Sequence, residues 1–305
     1  MYEKSIFRNR NGDLRIADVF IYVIFILFVI ICVFPFYYIF VNTISDNLLV
    51  STGQIMLLPR GIHFENYVSI FQLRGLGTAA FISFARTVLG TFGTLVCSSF
   101  LGYAFSKKEM WGRKIFYRFT IITMYFHAGI IPWFLTMRAL GLQNNFLAYV
   151  LPFLVVPFYV VLFKTYIESL PASLEESAQL DGAGYFIRFF KIILPLSSPI
   201  LATIAVFSAV LQWNAFLDTL FLMTRSEMFT LQFLLWQYLS EANAIAAIMR
   251  AGAAGMADAI DVSRMLTPTS IRMTISIVVT LPVMLVYPFF QRFFLKGIMI
   301  GAVKG

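Results

Sequence analysis

Long apolar stretches separated by short polar links dominate the chain. Six of them reach the roughly 20 residues that a bilayer core about 30 Å thick demands of a helix. They cover residues 19–40, 79–105, 115–137, 146–166, 195–223 and 271–294. The pattern predicts an all-α membrane protein of six transmembrane helices, and an even count places both termini on one side of the membrane. The first run is too long for a signal-peptide core, and aromatic residues follow it where a small-residue cleavage site is expected, so it reads as a retained span. The organisation expected is a cytoplasmic tail over residues 1–15 and a single transmembrane domain over 16–305.

Basic residues orient these spans. Lys4, Arg8, Arg10 and Arg15 precede the first run, and Lys107, Lys108, Arg113 and Lys114 sit in the short link between the second and third. By the positive-inside rule these segments, and therefore both termini, are cytoplasmic. Alternate links are longer yet poorer in Lys and Arg, with Arg60 and Arg74 in the first and Arg225, Arg250 and Arg264 in the fifth. The chain is 60% hydrophobic and only 12% charged, against roughly 25% charged in a soluble domain. The net charge of +8 is then mostly an orientation signal beside lipid headgroups and needs no nucleic-acid partner.

Little conventional site chemistry is visible. Cys32 and Cys97 lie inside apolar runs without Cys-x-x-Cys spacing, and His63 and His127 have no partner at ligand spacing, so neither a disulfide framework nor a metal site is expected. No Gly-x4-Gly-Lys-Ser/Thr loop occurs, so the chain has no familiar cradle for ATP phosphates. Paired carboxylates and activated nucleophiles are also missing, and no enzymatic activity is expected of the chain itself.

The segment 169–184, Ser-Leu-Pro-Ala-Ser-Leu-Glu-Glu-Ser-Ala-Gln-Leu-Asp-Gly-Ala-Gly, interrupts the membrane pattern on the cytoplasmic side. Ser173 and Glu176 have the spacing of a capping box, and Gly182 and Gly184 are candidate stops, which predicts a short helix over about 172–183. A second helical stretch over 185–193 carries Arg188 and Lys191 and meets Pro195 as the fifth run begins. A link between two spans needs only a few residues. A structured insert is therefore either a docking element for a partner or an amphipathic helix lying on the headgroups.

Glu176-Ser177-Ala178, then Gly182, then Ile192, Leu194 and Pro195 match the Glu-Ala-Ala, x3, Gly, x9, Ile-x-Leu-Pro spacing of the EAA motif, with Ser177 in place of Ala. In this the chain resembles the permease subunits of ABC importers. The run Glu176 to Ala183, with Asp181-Gly182-Ala183, is similar to the carbohydrate-uptake, maltose-permease-like branch. Met56-Leu-Leu-Pro-Arg-Gly61 with Glu65-Asn-Tyr67, Gly129-Ile-Ile-Pro132, Leu140-Gly-Leu142, Trp213-Asn214 and the last five residues also look like landmarks of that family. The resemblance covers roughly residues 15–305.

It implies a type I importer transmembrane domain in a bacterial cytoplasmic membrane, spanning it several times and embedded in lipid. Its partners would be a second permease of six to eight helices, two ATP-binding subunits carrying ATP and Mg, and an extracytoplasmic solute-binding protein, with an oligosaccharide as substrate. Glu176, Ser177, Ala178, Asp181, Gly182 and Ala183 would form the coupling helix against the ATPase. The C-terminal tail, about 295–305, would reach the ATPase interface through Lys304-Gly305, unless it is a frayed terminus.

Polar residues inside the runs are candidates for the substrate route, because an ionisable group at a helix centre costs about 2.5–3.5 kcal/mol on insertion. Arg86 is either half of an ion pair, with Asp218 a possible partner, or a group lining the path, in which case an anionic sugar is favoured. Gln212, Trp213 and Asn214 form a polar and aromatic step suited either to a sugar or to interhelical hydrogen bonds. His127, and Tyr125 beside it, complete the set. The outer link 224–270 is expected to hold short helices. The rival reading is a stand-alone secondary transporter or channel, which shares the topology without the EAA segment. Within the importer reading the alternative is a substrate other than a sugar.

Overall fold

The computed structural model describes residues 16–250 and 268–301. The basic residues at 4–15, the end of the tail at Lys304-Gly305 and positions 251–267 of the outer link fall outside them. Among the described residues all regular structure is helical: α1 (Ile16–Thr43), α2 (Asn47–Ser51), α3 (Glu65–Phe71), α4 (Leu76–Ser106), α5 (Arg113–Ile122), α6 (Ile130–Ala139) and α7 (Pro157–Glu168). These are followed by α8 (Ala172–Leu180), α9 (Tyr185–Arg188), α10 (Leu194–Leu196), α11 (Ser198–Asn214), α12 (Leu217–Leu222), α13 (Leu231–Arg250) and α14 (Pro268–Gly301). The contacts group the described residues into two compact units, one within 1–70 and 241–277 and the other within 71–240 and 278–305.

In the first unit, α1 is apolar on every side, and its side chains from Val19 to Phe34 are exposed. A helix hydrophobic all round needs an apolar medium, so lipid or another membrane subunit is its natural surrounding. Its last turn is pinned by the landmark Asn66-Tyr67: Asn66 donates to the Thr43 carbonyl at 3.0 Å, and the Thr43 and Tyr67 hydroxyls bond at 2.7 Å. Asp46 caps α2 by accepting from the Leu48 and Leu49 amides.

The second unit is built around α4, which packs against α7 and α11. Close approach requires Gly102. A Cβ there would lie 3.0 Å from the Phe163 ring and 3.1 Å from the Val160 carbonyl, so the backbones of α4 and α7 meet where only glycine fits. Tyr103, Tyr159, Phe163, Phe189, Ile193 and Ile204 form the buried cluster at this crossing.

Among the described residues, the six predicted runs are not all unbroken helices. By length and composition α1 and α4 can each cross a membrane alone, and two bent pairs bring the number to four. The third predicted run is two ten-residue helices, α5 and α6, separated where Gly129 takes a φ of 88° that no other residue adopts without strain. In the fourth, Pro152 and Pro157 break the helix, and the pieces meet at 44°. In the fifth, the chain from Tyr185 to Leu196 meets α11 at 78° beside Pro195 and Pro199, and the helix breaks again at Ala215-Phe216 before α12. In the last, α14 runs for 34 residues.

Candidate functional site: a coupling helix and a buried ion pair

The predicted helix of the EAA segment is α8, but its start differs from expectation. The chain becomes helical at Ala172, directly after Pro171, and no side chain caps the first turn. Ser173 is therefore already inside the helix and cannot act as the N-cap, so the Ser173–Glu176 capping box does not form. Pro171, with φ fixed at −59°, sets the entry instead.

The end follows from Gly182. Its φ is 81°, its amide donates to the Gln179 carbonyl, and the Ala183 amide donates to the Ala178 carbonyl at 2.9 Å. These are the two bonds of a Schellman stop, whose C′ position in the left-handed region favours glycine. That is the physical content of the glycine's place in the motif: it ends the helix two residues after Leu180 and turns the chain toward α9.

α8 has two faces. Glu175 and Ala178 point inward, while Glu176, Ser177, Asp181 and Gly182 are exposed and Ala183 is half-buried. Glu176 makes no hydrogen bond or ion pair with any described residue. Leu180 is 89% exposed, and Phe186 and Ile187 on α9 are exposed beside it.

The inward face holds the residues that sequence reasoning missed. Glu175 accepts from Lys107 at the end of α4, from the Tyr103 hydroxyl at 2.8 Å, and pairs with Arg188 of α9 at 3.5 Å. Arg188, itself buried, donates to Gln179 at 2.9 Å, and Lys107 lies over the Tyr103 ring. The sequence signal was present but ambiguous: Lys107 read only as an orientation charge, and Glu175 was hidden beside the motif's Glu176.

The second cluster centres on Arg86, fully buried in the N-terminal half of α4. Its guanidinium donates twice to Asp218, at 2.6 and 3.1 Å, twice to the Gln212 side-chain oxygen, and once to the Ala215 carbonyl at 3.2 Å. It also lies 4.5 Å from the centre of the Tyr149 ring. Tyr149 in turn donates to the Met228 carbonyl and bonds to Thr219. The Ala215 carbonyl is one that the helix break leaves without an amide, so Arg86 closes the break as well as balancing Asp218.

Of the two readings of Arg86, this geometry is that of the ion pair. Gln212 is equally buried, and its amide nitrogen sits against Gly90, where a Cβ would lie 2.3 Å away. Trp213 donates to the Val279 carbonyl of α14 at 3.0 Å, and Asn214 is exposed, donating to the Val210 carbonyl one turn back. His127 stands apart, exposed in the link between α5 and α6, where it accepts from the Gly129 amide. The structure thus brings Arg86 and Gln212 together, with Trp213 and Asn214 next along α11, and leaves His127 elsewhere. No group of three or more potential metal-binding side chains occurs among the described residues.

Comparison with known proteins bears on the family of the chain. Residues 94–300 match the family described as binding-protein-dependent transport system inner membrane component. The chain is 33% identical over 291 residues to the polygalacturonan/rhamnogalacturonan transport system permease protein YtcP of Bacillus subtilis, covering 95% of this chain and 99% of that one. It is 31% identical to the arabinooligosaccharides transport system permease protein AraQ of Halalkalibacterium halodurans, over 81% of each chain. Among solved structures, a bacterial ABC transporter involved in the import of the acidic polysaccharide alginate matches with a TM-score of 0.79 and 30% identity, covering 95% of this chain and 100% of that one. The chain therefore belongs to the family of inner-membrane permease components of binding-protein-dependent ABC importers.

Proposed function

We propose that this chain is one half of the translocation pore of an ATP-driven oligosaccharide importer, and that α8 is the helix through which a separate ATPase moves it. The observation that carries the reading is the construction of α8: a short helix with a firm glycine stop, anchored on one face and presenting Glu176, Ser177 and Leu180 to solvent on the other. A helix resting on headgroups would have no need of a fixed stop or a buried anchor. The partners are a second permease, two ATP-binding subunits that carry ATP and Mg, and an extracytoplasmic binding protein that delivers the sugar. The chain lies in the cytoplasmic membrane with α8 and both termini on the cytoplasmic side, as the Lys107–Lys114 cluster at the inner end of α4 supports.

The sugar class comes from the relatives, whose names include acidic polymers and a neutral oligosaccharide. Arg86 gives no reason to choose between them, because Asp218 already balances its charge. The substrate-facing groups proposed are Trp213 and Asn214 at the helix break, with Arg86 and Gln212 behind them as supports.

Co-purification tests the docking surface. The complex is expressed with its neighbouring permease and ATPase, and Leu180→Asp is compared with wild type. Loss of the ATPase from the purified permease pair is expected, with the permeases still associated. Full retention of the ATPase by Leu180→Asp and by Glu176→Ala would overturn the assignment of α8.

A further inference from the structure

α8 connects through the chain to α7 on one side and to α9 on the other, yet its strongest polar attachment is to neither span. Glu175 reaches across to the inner end of α4, a span 68 residues earlier in the sequence, through Lys107 and the Tyr103 hydroxyl. Arg188 completes the clamp from α9, held at its other end by Gln179. The clamp is charged on both sides, and Arg188 is almost fully buried, a setting in which charge-assisted bonds are at their strongest.

Tyr103 anchors the clamp in the buried cluster with Phe189 and Ile193, and open space borders the rest of it. A cleft of about 240 Å³, lined by Phe100, Met110, Phe186 and Phe189, opens on one side of Lys107, and another of about 180 Å³, lined by Leu170, Leu174 and Ile193, opens on the other. The junction between α8 and α4 is therefore a polar pin between two spaces. Such a joint transmits displacement while leaving room for the surrounding side chains to shift.

α4 is a continuous helix from Leu76 to Ser106. Tyr103 and Arg86 lie 17 residues apart on it, a separation of about 26 Å at 1.5 Å per residue. At that far end, Arg86 holds the Ala215 carbonyl and Asp218 on either side of the break between α11 and α12. One rigid rod thus has an electrostatic grip at each end.

We propose that Glu175 is a positioning residue that pins the ATPase-facing helix to α4, so that displacement of α8 moves α4 and, through Arg86, the α11–α12 break. Glu176 faces the partner; Glu175 faces inward and carries the displacement to a span that is not α8's neighbour in sequence. The inference rests on the proposed function above, and its test separates the two.

The test uses the reconstituted complex with its binding protein and a panel of oligogalacturonates and arabino-oligosaccharides, reading sugar-stimulated against basal ATP hydrolysis at equal amounts of assembled complex. Coupling free energies between sites typically correspond to changes of about 5- to 150-fold. Glu175→Gln is expected to cut the stimulated-to-basal ratio by about five-fold or more, with the ATPase still bound and basal hydrolysis retained. Lys107→Gln should act in the same direction, and the double variant should lose less than the two single effects combined, because both remove the Lys107–Glu175 bond. Tyr103→Phe, which deletes only a hydroxyl, should give a smaller loss and serves as the test if Glu175→Gln fails to assemble.

A cysteine at exposed Leu217, in a Cys32→Ser, Cys97→Ser background, reports the far end. Its labelling rate should change with ATP in the otherwise unaltered protein and stay fixed in Glu175→Gln. Wild-type stimulation in Glu175→Gln and Tyr103→Phe, or an unaltered ATP response at Leu217→Cys, would overturn the role of Glu175 while leaving the importer reading intact. Absence of stimulation in wild type with every sugar of the panel would instead overturn the importer reading, and this inference with it.

Discussion

Replacing Arg86 by Met removes a cation from a site where it has no access to water. The loss comprises two bonds to Asp218, the bonds to Gln212 and Ala215, and the contact with the Tyr149 ring. Asp218 keeps the amide of Thr219 at 2.8 Å and is left as a buried acidic group with 3% of its side chain exposed. Breaking a buried ion pair by deleting one partner costs about 3–5 kcal/mol, because the remaining charge is uncompensated. At 1.4 kcal/mol per factor of ten, that is roughly a 140- to 3,700-fold shift in the unfolding equilibrium.

Replacing Asp218 by Asn in addition removes the stranded charge. The double variant Arg86→Met, Asp218→Asn is therefore expected to be more stable than Arg86→Met alone, a non-additivity of about 1–3 kcal/mol. Thermal melting of the purified complex, followed by tryptophan fluorescence across the single and double variants, measures it. A melting point for Arg86→Met within about 1 °C of wild type, far below the shift that such a loss produces, would refute the claim that this pair holds the break. Simple additivity across the cycle would refute the pairing itself.

Other substitutions test separate joints. Gly90→Ala places a methyl 2.3 Å from the Gln212 amide nitrogen, so despite the better helix propensity of Ala it should cost about 1–3 kcal/mol, and Gln212→Ala should relieve most of it in the same melting assay. Gly182→Val forces a β-branched residue into the left-handed region at φ 81°, at a cost of at least about 1–2 kcal/mol. Amide exchange over 172–183 should rise, and sugar-stimulated hydrolysis should fall. Asn144 accepts from the Thr224 and Arg225 amides and donates to the Thr224 hydroxyl. Asn144→Ala should therefore raise amide exchange at 224–225 without changing ATPase co-purification.

The sequence carried the membrane character and the EAA helix more clearly than it carried the shape of the spans. Hydropathy reports the medium a segment sits in, so α1 and α4 emerged to within three residues at each end. It says little about bending, and the residues that bend these spans, Pro152, Pro157, Pro195, Pro199 and Gly129, were visible as letters but not as angles. The capping box failed because Pro171 starts α8 two residues before Ser173, a competition between two plausible start signals that spacing alone does not resolve. Gly182 was legible because a left-handed stop has a strong residue preference.

Long-range partners were the hardest to read. Arg86 was conspicuous as a charge in an apolar run, and Asp218 was its only named candidate partner, but 132 positions separate them and no local pattern ties one to the other. Glu175 was harder still. Lys107, Tyr103 and Arg188 each have an ordinary explanation in their own segments, and only the fold brings the three to one carboxylate.

The central claim is that this chain forms a pore for sugar moved by another subunit's ATP hydrolysis. Uptake of radiolabelled oligosaccharide into proteoliposomes tests it most directly, with the two permeases and the ATPase reconstituted, binding protein and sugar outside, and ATP and Mg inside. Uptake is expected from at least one of the oligogalacturonates or arabino-oligosaccharides only when ATP and the binding protein are both present, and it should be lost in Glu176→Ala. Uptake by this chain without an ATPase, driven by the sugar gradient alone, would contradict the account and place the protein among secondary transporters.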